Sequence, residues 1–476
     1  MINRLELVIS APTPERSPSS VAKGFKLNRA KCAITSLQTI NEEGRELYGA
    51  FIGAPEPKKI WLEEKIERTL THVRRLGDLR SQDALILLRQ CIVPELAHLL
   101  RCMDLSDMEP CLAVLDEGIE ALLDRLRGGP NKLTEVAARR IITTLLFHLP
   151  VRHNGVGIMS FQQTREAARG SFLESNAQLL QTLVKDNEMT FNRYLLEVDP
   201  YKGPKTQRQR METVHVTKTR ALIGHLNPLQ LSIFGDQQNK LHKAWMTALP
   251  TSRGLRLNDR AVGNGLRQST LMRVQEVAAC NRCGEPSTLN HQETCSEGTN
   301  QRTYRHDALK RLLENLLTKG CPERLNVVTV EDRVEDPVED AMQGAMCRTD
   351  LRIIGKDAPN ETGNDTDVTF TAVTAYRLQV APARLRAEII EEKKEETLSD
   401  LCIKKRYDYK MNRYNGKTLY PFVPLVFTTG GSTDKGTAAW LKELSKEVRN
   451  SVGRSVRAEI SVLLLRYSTR ICVFHN

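Results

Sequence analysis

The segment 280–295, Cys-Asn-Arg-Cys-Gly-Glu-Pro-Ser-Thr-Leu-Asn-His-Gln-Glu-Thr-Cys, sets the organisation of the chain. It holds a Cys-x2-Cys pair, a histidine eight residues further on, and a third cysteine four residues after that. Three thiolates and one imidazole are a common ligand set of tetrahedral zinc, and a Cys-x2-Cys turn presents two thiolates to one ion. Gly284 suits the tight turn that this spacing requires. The predicted zinc ligands are Cys280, Cys283, His291 and Cys295.

Such a zinc would be structural, because four protein ligands leave no open position for a substrate or water. A bound zinc can contribute on the order of 10 kcal/mol to folding, enough for a module with little core of its own. Two alternatives stay open at this point. His306 could substitute as a ligand, or the cysteines could form a thiol cluster without metal.

The composition indicates a globular chain of several domains. The chain has 476 residues, 40% hydrophobic and only 5% aromatic, which favours a helix-rich fold. Its eleven cysteines are an odd number and mostly scattered, as in proteins with reduced thiols. No apolar run is long enough to span a membrane, and residues 1–20 do not resemble a secretory signal. We therefore expect no membrane partner.

The net charge of +11 is concentrated in one part of the chain. Residues 202–273 contain thirteen lysines and arginines against three acids, and the predicted zinc ligands follow directly. A basic segment beside a zinc knuckle is typical of nucleic-acid binding, although a solvated basic surface is the plainer alternative. The predicted nucleic-acid contacts are Arg253, Arg256, Arg260 and Arg267.

Upstream of the basic segment the pattern is helical. Between Trp61 and Phe147 apolar residues recur every three or four positions, which predicts a packed helical region without chemistry of its own. Residues 154–158 form a Gly-rich turn, but its spacing fits no P-loop. Residues 202–220 are polar and predict a linker or an exposed arm.

Downstream of the zinc ligands the pattern is mixed. Strands are predicted at Leu351–Ile354, Val368–Val373 and Phe422–Thr428, with a helix at 383–405 between the second and third. The order strand, strand, helix, strand is compatible with a small mixed-sheet nuclease core.

Acids stand at the starts of two of these strands. Asp350 precedes the first, and Asp365 and Asp367 precede the second. If the strands pair, Asp350 and Asp367 would meet, and a divalent cation such as Mg²⁺ would relieve their repulsion. The ion would supply an activated water and stabilise charge on a phosphodiester. Lys404 and Lys405 are the candidates for the lysine that such a reaction needs.

Taken in order, these features resemble the C-terminal half of site-specific non-LTR retrotransposon proteins, which join a reverse transcriptase to a restriction-like endonuclease. The resemblance covers most of the chain, and its specificity lies in the order of the motifs. The segments that carry it are Gly24 to Cys32, Leu87-Leu88-Arg89 with Cys91, Pro94, His98, Leu99 and Arg101, Leu149-Pro150 with Gly155 to Ile158, the four zinc ligands, Arg348-x-Asp350, Asp367-Val368, Lys404-x-x-Tyr407, Pro421-Phe422-Val423 and Gly430-Gly431.

The resemblance implies a multidomain, mainly α fold followed by a zinc knuckle and an α/β restriction-endonuclease-like domain. The implied domains are a polymerase palm remnant at 1–60, a thumb-like helical region at 61–200, a basic nucleic-acid-binding linker at 201–274, the CCHC knuckle at 275–310, the endonuclease domain at 311–445 and a C-terminal tail at 446–476. Asp350 and Asp367 would be metal-binding acids, Lys404 the catalytic lysine and Tyr407 its companion. The family has proline where this chain has Thr349, and Asp365 is the alternative second acid.

The polymerase part of the family needs a pair of metal-binding aspartates, and none precedes Gly24. We therefore expect an incomplete RNA-directed DNA polymerase: a truncated gene model, a decayed element or one fragment of a longer polyprotein. The expected partners are DNA and RNA, without a small-molecule substrate, and the expected location is the nucleus. Two other interpretations stay open: a catalytically dead zinc-containing nucleic-acid-binding protein, and a helical scaffold with an incidental zinc site.

Overall fold

A computed structural model of the chain describes residues 42–47, 49–129, 137–176, 206–273, 279–320, 325–329, 349–356, 363–373, 398–414, 416–452 and 455–475. The predicted palm segment 24–32 lies outside them. The chain is mainly helical with a small sheet, which confirms the coarse fold expected from the sequence. Among the described helices, none combines the length and the apolar character needed to cross a membrane.

Six strands and fourteen α-helices of the described residues are used below. The strands are β1 (Arg45–Leu47), β2 (Ala50–Ile52), β3 (Leu325–Thr329), β4 (Leu351–Gly355), β5 (Gly363–Thr371) and β6 (Phe422–Thr428). The helices are α1 (Pro55–Leu76), α2 (Ser81–Leu87), α3 (Val93–Ala97), α4 (Leu99–Cys102), α5 (Glu109–Leu126), α6 (Ala137–His148), α7 (Phe161–Ser175), α8 (Gln207–His225), α9 (Pro228–Asp236), α10 (Asp259–Ser269), α11 (Thr299–Gly320), α12 (Leu398–Tyr414), α13 (Lys435–Val452) and α14 (Val456–His475).

The chain divides into two compact units. The first unit comprises Met1–His72, Pro94–Gly118 and Phe161–Arg210. It contains the hairpin β1–β2 and the helix α7. The Asp116 carboxylate accepts hydrogen bonds from the amides of Phe161 and Gln162, at 2.8 and 3.1 Å, and so caps the N-terminus of α7.

The second unit comprises Val73–Val93, Ile119–Ser160 and Met211–Asn476, and contains the four-stranded sheet. The strand order is β3-β4-β5-β6, with two antiparallel pairings followed by a parallel one. Apolar side chains of β4, β5 and β6 form one core with those of α11, α13 and α14. The register pairs Leu351 with Thr366, so Asp350 and Asp367 extend the same pairing by one position.

Helices at both ends of the predicted endonuclease domain belong to this core. The boundary expected at 310/311 lies inside α11, whose Leu309 and Leu313 are fully buried in the core. The segment expected as a C-terminal tail, 446–476, contributes Val456 and Ile460 of α14 to the same core. The sheet is thus enclosed by helices that the sequence had assigned to neighbouring segments.

The three strands predicted downstream of the zinc ligands are present as β4, β5 and β6. The second begins earlier than expected, at Gly363, because polar residues also fit the register beside β4. Of the helix predicted at 383–405, residues 398–405 form the start of α12, and 383–397 lie outside the described residues.

Most of the segment expected to be an arm or linker is folded. Residues 207–225 form α8, although only Met211 and Leu222 in it are buried. A polar helix of this kind gives almost no apolar periodicity, which is why the sequence predicted an arm.

Further along, α9 ends at Asp236, a fully buried residue whose carboxylate accepts hydrogen bonds from Thr428 (2.6 Å) and the Gly430 amide (3.1 Å). This carboxylate joins the basic segment to β6.

Candidate metal centre and acid pair

The four predicted zinc ligands converge in the second unit. Their ligand atoms all lie within 4.8 Å of one another, so that the group could hold a metal ion such as zinc. The Sγ atoms of Cys280 and Cys295 are 4.0 Å apart, close to the separation of about 3.8 Å that two zinc–sulfur bonds of about 2.3 Å give in a tetrahedron. The Sγ atom of Cys283 lies 3.2 Å from Nε2 of His291.

Local backbone geometry places these ligands. The Gly284 amide donates to the Cys280 carbonyl at 2.9 Å, and Gly284 adopts a φ of 73°, which favours glycine. A short helical turn then brings the Cys295 amide to the His291 carbonyl at 2.9 Å. The two ligand pairs are therefore each fixed by a turn of their own.

The crowding of the three sulfur atoms affects the protonation of the cysteines. Burial raises the pKa of Cys280, but amide hydrogen bonds from Cys283 and Arg282 outweigh it and lower this pKa overall. Burial and the neighbouring sulfurs raise the pKa of Cys295 to about 12. Three thiolates at this distance repel one another, and a zinc ion would remove that repulsion while displacing the protons.

Residues 280–295, which carry the four predicted zinc ligands and which we call the Cys/His turn, are anchored to α11. Arg302 of α11 donates to the Cys295 carbonyl at 2.6 Å. Arg305, one turn further, forms a buried ion pair with Glu293 at 2.5 Å, and Ser468 of α14 donates to the same carboxylate at 2.9 Å. The turn therefore fixes the start of the helix that reaches the sheet.

His306 is directed away from the zinc ligands. Its Nε2 lies 3.0 Å from Oδ2 of Asp350 and its Nδ1 lies 3.1 Å from Asp307. The alternative in which His306 substitutes as a zinc ligand is therefore not supported, because both ring nitrogens already face carboxylates.

Asp350 and Asp367 are brought together, as the strand pairing predicts. Both are buried, and the charge of Asp350 acts on Asp367. The Asp350 carboxylate accepts a hydrogen bond from the Val368 amide at 2.7 Å, which fixes it beside β5. Burial and the Asp350 charge raise the pKa of Asp367 despite the opposing effect of Lys410.

Cations surround this acid pair. Lys410 of α12 lies 2.5 Å from Oδ2 of Asp367, and Lys310 of α11 lies 3.8 Å from Oδ1 of Asp350. Burial lowers the pKa of His306, but the hydrogen bond and charge of Asp350 outweigh it and raise this pKa to about 9. The site thus combines two buried carboxylates with three cationic side chains.

Asp365, the alternative second acid, has a different environment. Its carboxylate is paired with Arg352, with distances of 2.8 and 3.3 Å, and accepts from the Tyr420 amide at 3.3 Å. In the register it lies opposite Arg352, whereas Asp367 continues the pairing at Asp350. The geometry favours Asp367 as the partner of Asp350.

The predicted lysines lie on another side of α12. Lys404 and Lys405 are exposed and Tyr407 is half-buried, whereas Lys410 is buried. Lys410 shares the inward face of the helix with Ser399, Ile403 and Tyr414, at intervals of seven or fewer residues. The buried positions of α12 include the polar Ser399 and Lys410 itself, so its sequence has no clear apolar stripe that would have marked Lys410.

The predicted nucleic-acid contacts divide into two groups. Arg253, Arg256 and Arg260 are exposed. The guanidinium of Arg267 instead donates to the carbonyls of Arg127 and Gly128, at 2.7 and 3.4 Å. Arg267 therefore stabilises the backbone directly after the C-terminal end of α5.

A second group with metal-ligand chemistry lies at His153, Glu212 and His215. The Glu212 carboxylate already contacts the guanidinium of Arg152 at 2.7 Å and Nε2 of His153 at 2.9 Å. Because the guanidinium balances the charge of Glu212, the group is best interpreted as a structural ion-pair network that anchors the polar helix α8.

Comparison of the chain with protein-family models gives no match, and comparison with curated proteins gives none either.

The purified protein should contain about one zinc per chain, because the four side chains together can supply one tetrahedral ligand set. Cys280→Ser combined with Cys283→Ser should remove the metal and lower the thermal midpoint. Elemental analysis of the folded protein provides the measurement. Cys91→Ser combined with Cys102→Ser, at two exposed cysteines, is the matched control. Full zinc retention in the first double variant would refute the site.

The stability of the protein should depend on pH through His306. Its pKa is about 9 when folded and about 6.5 when unfolded. The folded state therefore binds more protons between these values, so the contribution is complete below pH 6.5 and is lost as pH rises through 9. Denaturant midpoints of the parent and of His306→Gln, without added Mg²⁺, should differ at pH 6 and converge near pH 9.5. The exposed His225→Gln is the control, and parallel curves for parent and His306→Gln would contradict the assignment.

Proposed function

We propose that this chain is a retrotransposon-derived nucleic-acid-binding protein that nicks DNA by metal-dependent hydrolysis at Asp350 and Asp367. The single observation that supports the nuclease most strongly is the convergence of these two buried carboxylates with Lys410. Paired carboxylates with a neighbouring lysine suit phosphodiester hydrolysis, because the reaction needs a divalent cation and charge stabilisation. The resemblance to the C-terminal half of non-LTR retrotransposon proteins implies the same class of reaction, phosphodiester hydrolysis.

Asp350 and Asp367 would hold the divalent cation, for which Mg²⁺ is the proposed ion. When bound, it would polarise a phosphate oxygen and acidify a water molecule. Their hard oxygen donors and mutual repulsion fit such an ion. Lys410 would move from Asp367 toward the phosphate and stabilise the charge that develops on it. In the overall reaction water attacks phosphorus, one P–O bond breaks, and the departing oxygen takes up a proton.

The surroundings of the acids support a role for two residues of α11. His306 is partly exposed, whereas Asp350, which it contacts, is nearly buried. His306 and Lys310 would position Asp350 and compensate its charge until the metal binds. The Cys/His turn would hold this helix and contribute to nucleic-acid binding together with the exposed arginines 253, 256 and 260. The proposed location of this activity on chromosomal DNA is the nucleus.

A second candidate is a binding protein without catalysis. One specific observation favours it, namely that the two carboxylates are already matched by the three cations Lys410, Lys310 and His306. A protein that has lost catalysis could keep such a cluster as a stable ion-pair network. The two candidates differ in whether a divalent cation displaces these side chains.

Strand cleavage of supercoiled plasmid with Mg²⁺ or Mn²⁺ should be abolished by Asp350→Asn and by Asp367→Asn, because each removes a metal ligand. Lys410→Met, which keeps the packing, should lower the rate by about 10²–10³, the typical effect of one electrostatic donor. Lys404→Met is the matched control on the same helix and should change little, because Lys404 is exposed.

Nucleic-acid binding measured in parallel separates the candidates. A large loss for Lys404→Met with none for Lys410→Met would restore the lysine that the resemblance implies. Equal cleavage by the parent and Asp350→Asn would exclude the proposed site. Absence of cleavage by the parent with binding intact would establish the binding protein.

A further inference from the structure

A large groove lies in the second unit, apart from the acid pair. Its volume is about 1060 Å³, and its walls are the end of α11, the end of α13, the start of α14 and the segment 240–255. Lys319 of α11 lines it. Lys319 follows Lys310 by nine residues, which is about 13.5 Å along the helix and half a turn around it. The groove therefore does not share the surface of α11 that faces Asp350.

The lining of this groove is strongly basic. Among the described residues that line it, Glu459 is the one acid, and it is buried. Lys243 donates to the backbone carbonyls of Asn154 and Gly155. The remaining cations are exposed, and within the described ranges none of them is paired with a carboxylate. These exposed cations are Lys240, Arg253, Lys319, Arg449 and Arg457.

The basic groove continues into a neighbouring cavity of about 250 Å³. The two share Lys240 and Arg457, and the second adds the exposed Lys442. Cations gathered along a continuous concave path repel one another, so that a polyanion that follows the path is favoured. Its binding would also release counterions from the phosphates, a gain that falls as salt rises.

The shape and the other wall residues favour an unpaired strand. A basic groove that tracks the backbone is the usual binding surface for single-stranded nucleic acid. The exposed side chain of Leu249 and the half-buried Leu255 lie among the cations, where they can contact the bases of an unpaired strand. A duplex keeps its bases stacked inside and would leave these apolar side chains without partners.

We propose that this groove binds a single strand of DNA or RNA through its phosphates, independently of any divalent cation and of the acid pair. The proposal does not require the nuclease activity, because none of the groove residues contacts Asp350 or Asp367 in the described structure. It assigns binding residues on α11 and α13, outside the basic segment 202–273.

The test measures the affinity of the full chain for labelled single strands by fluorescence anisotropy, without Mg²⁺, across a range of salt concentrations. Lys319→Gln combined with Arg449→Gln should weaken binding at least tenfold. It should also lower the slope of log affinity against log salt by about 1.4, since each phosphate contact on a single strand contributes about 0.7. Arg311→Gln combined with Lys446→Gln is the matched control, with the same change at exposed positions of the same two helices.

The outcomes are distinct. Selective loss in the groove variant, with full binding by Asp350→Asn combined with Asp367→Asn, would support the proposal whether or not the chain nicks DNA. Parallel titrations with DNA and RNA strands of one sequence would show which strand binds more tightly. Equal loss in the control variant would overturn the proposal, because the effect would then reflect net charge alone. An equal or larger loss for duplex DNA would also overturn it.

Discussion

The buried ion pair between Glu293 and Arg305 connects the two candidate sites. Glu293 lies within the Cys/His turn, and Arg305 lies on α11, with its guanidinium also 4.6 Å from the ring of Phe370. Both side chains are almost fully buried, so removal of either would leave an uncompensated charge, which typically costs about 3–5 kcal/mol. The next residue after Arg305 is His306, which contacts Asp350. The position of the acid pair therefore depends on how the turn is held.

This arrangement gives the Cys/His turn a role beyond its own folding. A metal ion would fix the turn, the turn fixes the start of α11, and α11 carries His306 and Lys310 to the sheet. On the far side of the acids, α12 supplies Lys410. The two carboxylates are thus enclosed between cations on two helices, whose positions are set by the turn on one side and by β6 on the other. Loss of a metal ion bound in this turn would consequently affect both folding and any chemistry at the acids.

The sequence predicted those features that depend on short-range spacing. The four ligands of the Cys/His turn lie within sixteen residues, and their types and intervals were sufficient to bring them together. The strands β4, β5 and β6 were recognisable from short apolar runs. The pairing of Asp350 with Asp367 followed from the assumption that neighbouring strands pair, and the register bears this out.

Features that depend on long-range packing were not predictable in the same way. Lys410 and Lys404 differ only in the side of α12 that they occupy, and that side is decided by contact with β6. In the sequence Arg267 is one basic residue among many, yet its guanidinium donates a hydrogen bond to the Arg127 carbonyl, 140 residues away in sequence. The helix α8 has almost no apolar stripe and is held instead by an ion pair between Glu212 and Arg152 and by a contact between Glu212 and His153. Each case turns on a partner that no local pattern reveals.

Isothermal titration calorimetry of Mn²⁺ binding to the zinc-loaded protein tests most directly whether Asp350 and Asp367 form a divalent-cation site. We expect one binding event that is lost in Asp350→Asn and in Asp367→Asn, retained in Asp365→Asn, and strengthened in Lys410→Met, because the metal no longer competes with the ammonium group. Identical Mn²⁺ binding by the parent and both acid-pair variants, or no binding by the parent, would contradict a divalent-cation site at these acids.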